Sequence, residues 1–340
     1  MEDVQLILGF TLSLLSGFLL GSFALPLKRI KLWNWENTWL MYSLWATVIL
    51  PIAIALFVIP DLLAIYRSVP AKVIFIVFLF GAGWGIGNVG FGLGLSMVGL
   101  ALGTAIILGM NNALGAILPI IIFEPGQILT PMGRSLTAGV LIMIIGITIC
   151  AVAGNLRAKA KNLSVKDDNK PFIKGLIICL VAGVCGAMFN FALIAGRPIE
   201  QSAIITGTDP LNAPFATWCI SLFGGFVITL AYCMYLFSKN KSKNIYFSKL
   251  AGINWALTLA MGLMWFSGVT LYGMAVSNLG EFGASIGWPI IQSMAVASGN
   301  IWGIVTGEWK GSGKRPLKVM LSGLGFLFAG MALVGYSSTV

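Results

Sequence analysis

The chain has 340 residues, of which 58% are hydrophobic and 9% charged, with a mean hydropathy of +0.94; a soluble protein of this length carries roughly a quarter charged residues. An integral membrane protein is therefore expected, and because each spanning helix takes about 20 apolar residues, a full set of spans leaves no room for a sizeable soluble domain. The sequence has no histidine, so the usual proton shuttle, the commonest metal ligand and the Ser-His and Cys-His pairs are missing. That argues against a membrane-embedded hydrolase or metalloenzyme, and no cofactor or metal is called for.

Taken in chain order, the first apolar run is Val4 to Pro26. It follows Glu2 and Asp3 rather than a basic segment and exceeds a signal-peptide core in length, so it is expected to be a retained span. Nine further runs follow at 35 to 59, 71 to 97, 100 to 123, 134 to 154, 172 to 195, 211 to 237, 250 to 277, 283 to 306 and 317 to 337. The expected fold is an all-α polytopic membrane protein with ten transmembrane helices. Spans three and four, and eight and nine, are separated by Val98-Gly99-Leu100 and Asn278-Leu279-Gly280-Glu281, where glycine and a few polar atoms mark the turn. Trp33, Trp35 and Trp39, beside the second span, read as an interfacial aromatic belt. The five cysteines, Cys150, Cys179, Cys185, Cys219 and Cys233, lie in apolar runs without a metal or redox spacing and read as small packing residues.

Seventeen of the 21 basic residues fall between alternate pairs of spans: Lys28 to Lys31, Arg157 to Lys174, Lys239 to Lys249 and Lys310 to Lys318. The positive-inside rule puts those segments in the cytoplasm and both termini outside. The net charge of +10 is then a topology signal. Cations spread over separate short loops attract anionic inner-leaflet lipid but make no nucleic-acid site. Asn162-Leu163-Ser164, which matches a glycosylation acceptor, falls in an expected cytoplasmic loop.

An internal repeat organises the spans. At an offset of 181, Gly81, Trp84, Gly87, Gly92, Ser96 and Gly99 match Gly262, Trp265, Gly268, Gly273, Ser277 and Gly280. A weaker echo at 166 pairs Gly17 with Gly183 and Phe23 with Phe189. Span three then repeats as span eight and span one as span six. The expected division is residues 1–156 and 172–340 as five-helix halves joined by a cytoplasmic linker, 157–171; five being odd, the second half is inverted. Inverted repeats are characteristic of secondary transporters, whose site lies near the midplane between the halves.

Gly85-Ile86-Gly87-Asn88-Val89-Gly90 has the G-x-G-x-x-G spacing of a dinucleotide fingerprint but sits inside an apolar span rather than between a strand and a helix. Gly81/Gly85, Gly83/Gly87 and Gly90/Gly94 read instead as small-residue pairs that bring helix backbones together. Amides within spans are more informative, because each must find a partner or line a wet cavity. Asn88, Asn111, Asn112, Asn190 and Gln292, accompanied by Trp84, Trp265, Tyr272 and Trp288, suit a neutral polyol: amides bond hydroxyls and rings pack on the C–H face of a sugar. Asn254 and Asn300 belong to the same class, and interhelical bonding is the competing role for every amide.

The blocks Lys31-Leu32-Trp33-Asn34-Trp35-Glu36, Phe80-Gly81-Ala82-Gly83-Trp84-Gly85-Ile86-Gly87-Asn88, Thr208-Asp209-Pro210-Leu211, Gly262-Leu263-Met264-Trp265 and Glu308-Trp309-Lys310 to Arg315-Pro316 resemble the bacterial L-rhamnose-proton symporter family of the drug/metabolite transporter superfamily. The resemblance runs over nearly the whole chain and is poorer from Gly268 to Asn300. It implies ten helices in two inverted halves in the bacterial inner membrane, and inward transport of L-rhamnose, or a similar sugar such as L-fucose or L-lyxose, with a proton. The competing reading is a metabolite exporter or exchanger of the same superfamily. A proton-coupled carrier without histidine needs a carboxylate. Of the 11 acids, Glu2, Asp3, Asp61, Asp167, Asp168, Glu200 and Asp209 are expected in termini or loops. Glu308 neighbours Lys310, Glu36 follows Lys28, Arg29 and Lys31, and Glu124 is close to a helix end. Glu281, far in sequence from any basic residue, is the expected coupling group, with Glu36 second.

Overall fold

In the computed structural model, residues 2–98, 100–161, 172–247, 251–280 and 282–337 are described. They are almost entirely helical. The elements are α1 (Glu2–Ser22), α2 (Trp35–Leu44), α3 (Leu50–Val58), α4 (Leu62–Ser68), α5 (Ala71–Val98), α6 (Leu100–Phe123), α7 (Pro131–Ala160), α8 (Phe172–Ala195), α9 (Arg197–Ile205), α10 (Pro214–Asn240), α11 (Ala251–Asn278), α12 (Gly283–Val305) and α13 (Lys314–Ser337). Eight helical segments are long and apolar enough to cross a membrane: Val4–Arg29, Trp35–Val58, Ala71–Gly94, Pro131–Ala160, Ile173–Ile205, Pro214–Asn240, Gly252–Asn278 and Lys314–Ser337.

Local chemistry explains the irregular points. Pro51 has no N–H to give and its ring crowds the preceding turn, and the chain answers with one π-helical turn, Trp45–Ile49, between α2 and α3. Thr130 caps α7 by accepting the Gly133 N–H at 3.2 Å, with Pro131 at the first helical position. Gly280, at φ +79, supplies the left-handed residue in the turn between α11 and α12.

Helices pack through their glycines. Along α5, a Cβ on Gly85 would lie 2.8 Å from Gly225 O of α10, whereas on Gly87 it would lie 2.7 Å from Gly186 N and on Gly94 2.6 Å from Cys179 Sγ, both on α8. One face of α5 thus rests on α10 and another on α8, as the small-residue spacing predicts. α1 runs along α11 and α12, and α8 runs along α5 and α6. A Cβ on Gly17 would meet Ile291 O at 2.7 Å, and one on Gly183 would meet Ile107 O at 3.1 Å. α7 and α13 lie against each other: a Cβ on Gly139 would be 3.0 Å from Gly330 O, and one on Gly323 would be 3.1 Å from Gly146 O.

The tryptophans beside α2 do not form the expected belt. Trp33 is buried, edge-on to Tyr246 and Trp255 at 5.1 and 5.8 Å. Trp39 is half-buried and stacks on Trp35 at 5.2 Å; Trp35 is the exposed one of the three. Chain reversal before α2 brings α11 over Trp33, a long-range contact that local composition does not signal. All five cysteines are buried and free.

Candidate functional site

α5, α8, α10, α11 and α12 each contribute aromatic side chains to one cluster. Trp84 of α5 and Trp265 of α11 stack on each other, with ring centroids 5.5 Å apart and planes 27° from parallel. Phe189 of α8 touches both, at 5.2 and 6.2 Å, and stacks on Trp218 of α10 at 4.9 Å. It also reaches Trp288 of α12 at 5.8 Å, which in turn is 5.8 Å from Tyr272. Trp265, Trp288 and Tyr272 are buried, and Trp84 is partly so.

Beside the rings, Asn190 is fully buried and acts as a polar node. Its Nδ2 donates to Gly115 O of α6 at 2.6 Å and to Ala284 O of α12 at 3.3 Å, and its Oδ1 accepts from the Tyr272 hydroxyl of α11. One amide on α8 therefore ties three other helices. Trp288 Nε1 donates to Asn111 O at 3.1 Å. Asn111 Oδ1 and both amide atoms of Asn112 are buried without a hydrogen-bond partner, so α6 offers donor and acceptor capacity that the protein does not itself use.

Six residues predicted from the sequence, Trp84, Trp265, Trp288, Tyr272, Asn190 and Asn111, are joined by these contacts, with Asn112 adjacent in the chain. Asn88 and Gln292 are partly buried. Each lies one turn beyond an aromatic member on the same helix face, Asn88 after Trp84 and Gln292 after Trp288. Asn254 and Asn300 serve the backbone: Asn254 Nδ2 donates to Lys31 O at 2.8 Å, and Asn300 Nδ2 donates to Val296 O at 2.9 Å. Phe189 and Trp218, at the centre of the cluster, were not among the sequence candidates. The pairing of Phe23 with Phe189 in the repeat is the signal that finds the first, since Phe23 stacks on Tyr42 at 5.2 Å much as Phe189 does on Trp218.

A cavity of about 580 Å³ adjoins this node between α5, α6, α8 and α12, lined by Phe80, Pro119, Ile194, Arg197 and Ser285 among others. A smaller cavity of about 240 Å³ lies toward the other end of α12, among Gly154, Arg157, Asn300 and Glu308.

The acids are distributed differently from the expectation. Glu281 lies outside the described residues. Glu36 is 2% exposed, and its Oε1 accepts from Ser242 Oγ at 2.5 Å, Asn240 Nδ2 at 3.0 Å and Asn34 Nδ2 at 3.5 Å. Of the cations expected around it, Lys28 pairs instead with Glu308, whose Oε2 also accepts from Arg157 Nη1 at 2.6 Å. The hydrogen bond from Lys28, then that from Arg157, holds the Glu308 carboxyl below its usual range. Glu200, expected in a loop, is on α9, where its Oε1 is buried without a hydrogen bond.

The L-rhamnose-proton symport protein (RhaT) family model matches residues 2–339. This chain belongs to that family. Named relatives agree: the L-rhamnose-proton symporter of Klebsiella pneumoniae subsp. pneumoniae is 31% identical over 320 residues, 92% of each chain. Those of Shigella flexneri and Escherichia coli are 31% and 32% identical over the same length and coverage. The family consists of transporters rather than enzymes, and its helices make the chain a multi-pass inner-membrane protein.

Proposed function

We propose that this protein imports L-rhamnose together with a proton across the inner membrane by alternating access. The observation that carries the reading is the match of nearly the whole chain to the family model and of 92% of it to relatives that bear that name, and the geometry supports it. A ten-span architecture follows if α6 and α12 also cross the bilayer, each being over 20 residues long. Two inverted halves, 1–156 and 172–340, account for the paired contacts. Gly17 rests on Ile291 as Gly183 rests on Ile107. Gly139 meets Gly330 as Gly323 meets Gly146, with 184 residues between equivalent positions. Trp84 and Trp265, equivalent at an offset of 181, stack on each other, as residues on a pseudo-two-fold axis would. The sugar site is assigned to the faces of Trp84, Trp265, Trp288 and Tyr272 with the amides of Asn88, Asn111, Asn112, Asn190 and Gln292. The unused polar atoms of Asn111 and Asn112 suit hydroxyl groups, and the rings suit a deoxy sugar's apolar face. Both termini are assigned to the outside.

A proton accompanying a neutral sugar carries one charge, worth about 2.3 kcal/mol per 100 mV. At about 1.4 kcal/mol per decade this sustains roughly 50-fold accumulation. The sequence nominates Glu281 and Glu36 for the carboxylate that binds this proton. Uptake of labelled L-rhamnose, L-fucose and L-lyxose into proteoliposomes, with and without an inward proton gradient, tests the reading; accumulation that the gradient does not increase, or preference for outward export, would refute it.

A further inference from the structure

The helix α9 carries a carboxylate that neither the sequence nor the packing of the core explains. Ile199 and Ala203 on the same helix are fully buried in the aromatic core, so α9 is fixed against α8, α10 and α4 rather than free at the surface. Glu200, between them in sequence, is turned inward: its Oε1 is buried and has no hydrogen bond. Burying a carboxylate oxygen without a donor is costly, and nothing about helix packing needs one there.

The groups around it can be named helix by helix. From α10 the Thr217 hydroxyl interacts with the carboxyl, and from α9 itself the Arg197 guanidinium lies near enough to act on it through charge. From α11, Tyr272 is fully buried in the same aromatic core that takes in Ile199 and Ala203 of α9. On α4, Tyr66 is bound to Ala216 O at 2.8 Å and Ser68 to Ser202 at 2.6 Å, and Arg67 is exposed. The consequential neighbour is Tyr272, because its hydroxyl donates to Asn190, the node that ties α8 to α6, α11 and α12.

We propose that Glu200 takes up the transported proton and that its charge state is relayed to the sugar site through the Tyr272–Asn190 hydrogen bond. This deepens the symporter reading and rests on it. Water on the outer side, where the assigned topology puts α9, delivers a proton to the partly exposed carboxyl group, forming one O–H bond and neutralising it. Removing that charge changes the field at the Tyr272 hydroxyl and so the strength of the bond that joins α11 to α8. After the site has turned inward, the acid gives the same proton to cytoplasmic water and regains its charge. The cycle then moves one proton with each sugar and consumes nothing else.

The test uses the full-length protein in proteoliposomes, with two measurements: exchange of labelled for unlabelled L-rhamnose without a gradient, and accumulation after an acid-outside pulse. Wild-type protein that performs neither refutes the symporter reading itself. Given wild-type activity, Glu200→Gln is expected to retain exchange and to lose accumulation, leaving an inside-to-outside ratio near one. A Gln variant that accumulates sugar like wild type overturns the proposal, as does one that is inserted and folded but loses exchange too. Glu200→Asp keeps the carboxyl group and decides the matter where the Gln variant is not inserted. It is expected to accumulate sugar with a shifted external-pH dependence, and an unchanged pH profile overturns the assignment.

Discussion

Asn190 offers the sharpest test of what holds the site together. Replacing it with leucine, nearly isosteric, removes two donors and one acceptor, and takes one hydrogen bond from each of Gly115 O, Ala284 O and the fully buried Tyr272 hydroxyl. Interhelical hydrogen bonds in membrane proteins average about 0.6 kcal/mol and reach about 1.7. Three lost together cost about 2 to 5 kcal/mol. Tyr272→Phe alone removes one of the three and is expected to cost about 0.6 to 1.7 kcal/mol. In the double variant there is no hydroxyl to be left unpaired, so the combined loss should fall short of the sum by about 1 kcal/mol, the coupling expected between directly bonded residues. Equilibrium unfolding of the four proteins in a mild detergent, followed by far-UV circular dichroism, measures the cycle. If the two losses simply add, within about 0.3 kcal/mol, the Asn190–Tyr272 bond does not contribute and the node is wrongly drawn.

Gly87→Ala should destabilise by about 1 to 3 kcal/mol, since the new methyl would sit 2.7 Å from Gly186 N on α8 and the helices would have to part. Gly92→Ala, with nothing within 4 Å of its Cβ, should be neutral or stabilising by up to about 1 kcal/mol; equal melting shifts for the two would contradict the packing. The Glu308 carboxyl is held low by Lys28 and Arg157, so its contribution is full above the ordinary value of 4.5 and is lost as the pH falls through its depressed value. Because Glu308 is about a third exposed, Glu308→Gln should lower stability at pH 7 by at most about 1 kcal/mol, with the difference disappearing in acid; a deficit that persists in strong acid would point to packing instead. A cysteine introduced near Lys166 should resist an impermeant maleimide in intact cells, and strong labelling there would invert the proposed topology.

The runs of apolar residues determined where the helices lie, because a membrane span is a matter of local composition and length. The observed bounds of α5, α6, α8 and α12 fall within a residue or so of the apolar runs. The glycine spacing in α5 likewise announced a close-packed helix, and Trp84 and Trp265 announced each other through the repeat. What composition could not supply was partnership across the bundle. Phe189 and Trp218 read as ordinary apolar residues until α8 and α10 are docked; only then do they stack at 4.9 Å in the middle of the aromatic cluster. Glu36 was read beside the lysines nearest in sequence, yet its partners come from some 200 residues away, at Asn240 and Ser242. Glu200 was read as a loop acid, and folding puts one of its oxygens out of reach of water and donors alike. Charge, burial and hydrogen bonding are properties of a neighbourhood, and in a bundle of long helices most of each neighbourhood is contributed by other helices. The sequence alone therefore determined where the apolar helical segments lie, whereas the docking of those helices decided which polar groups stand together and which are left without partners.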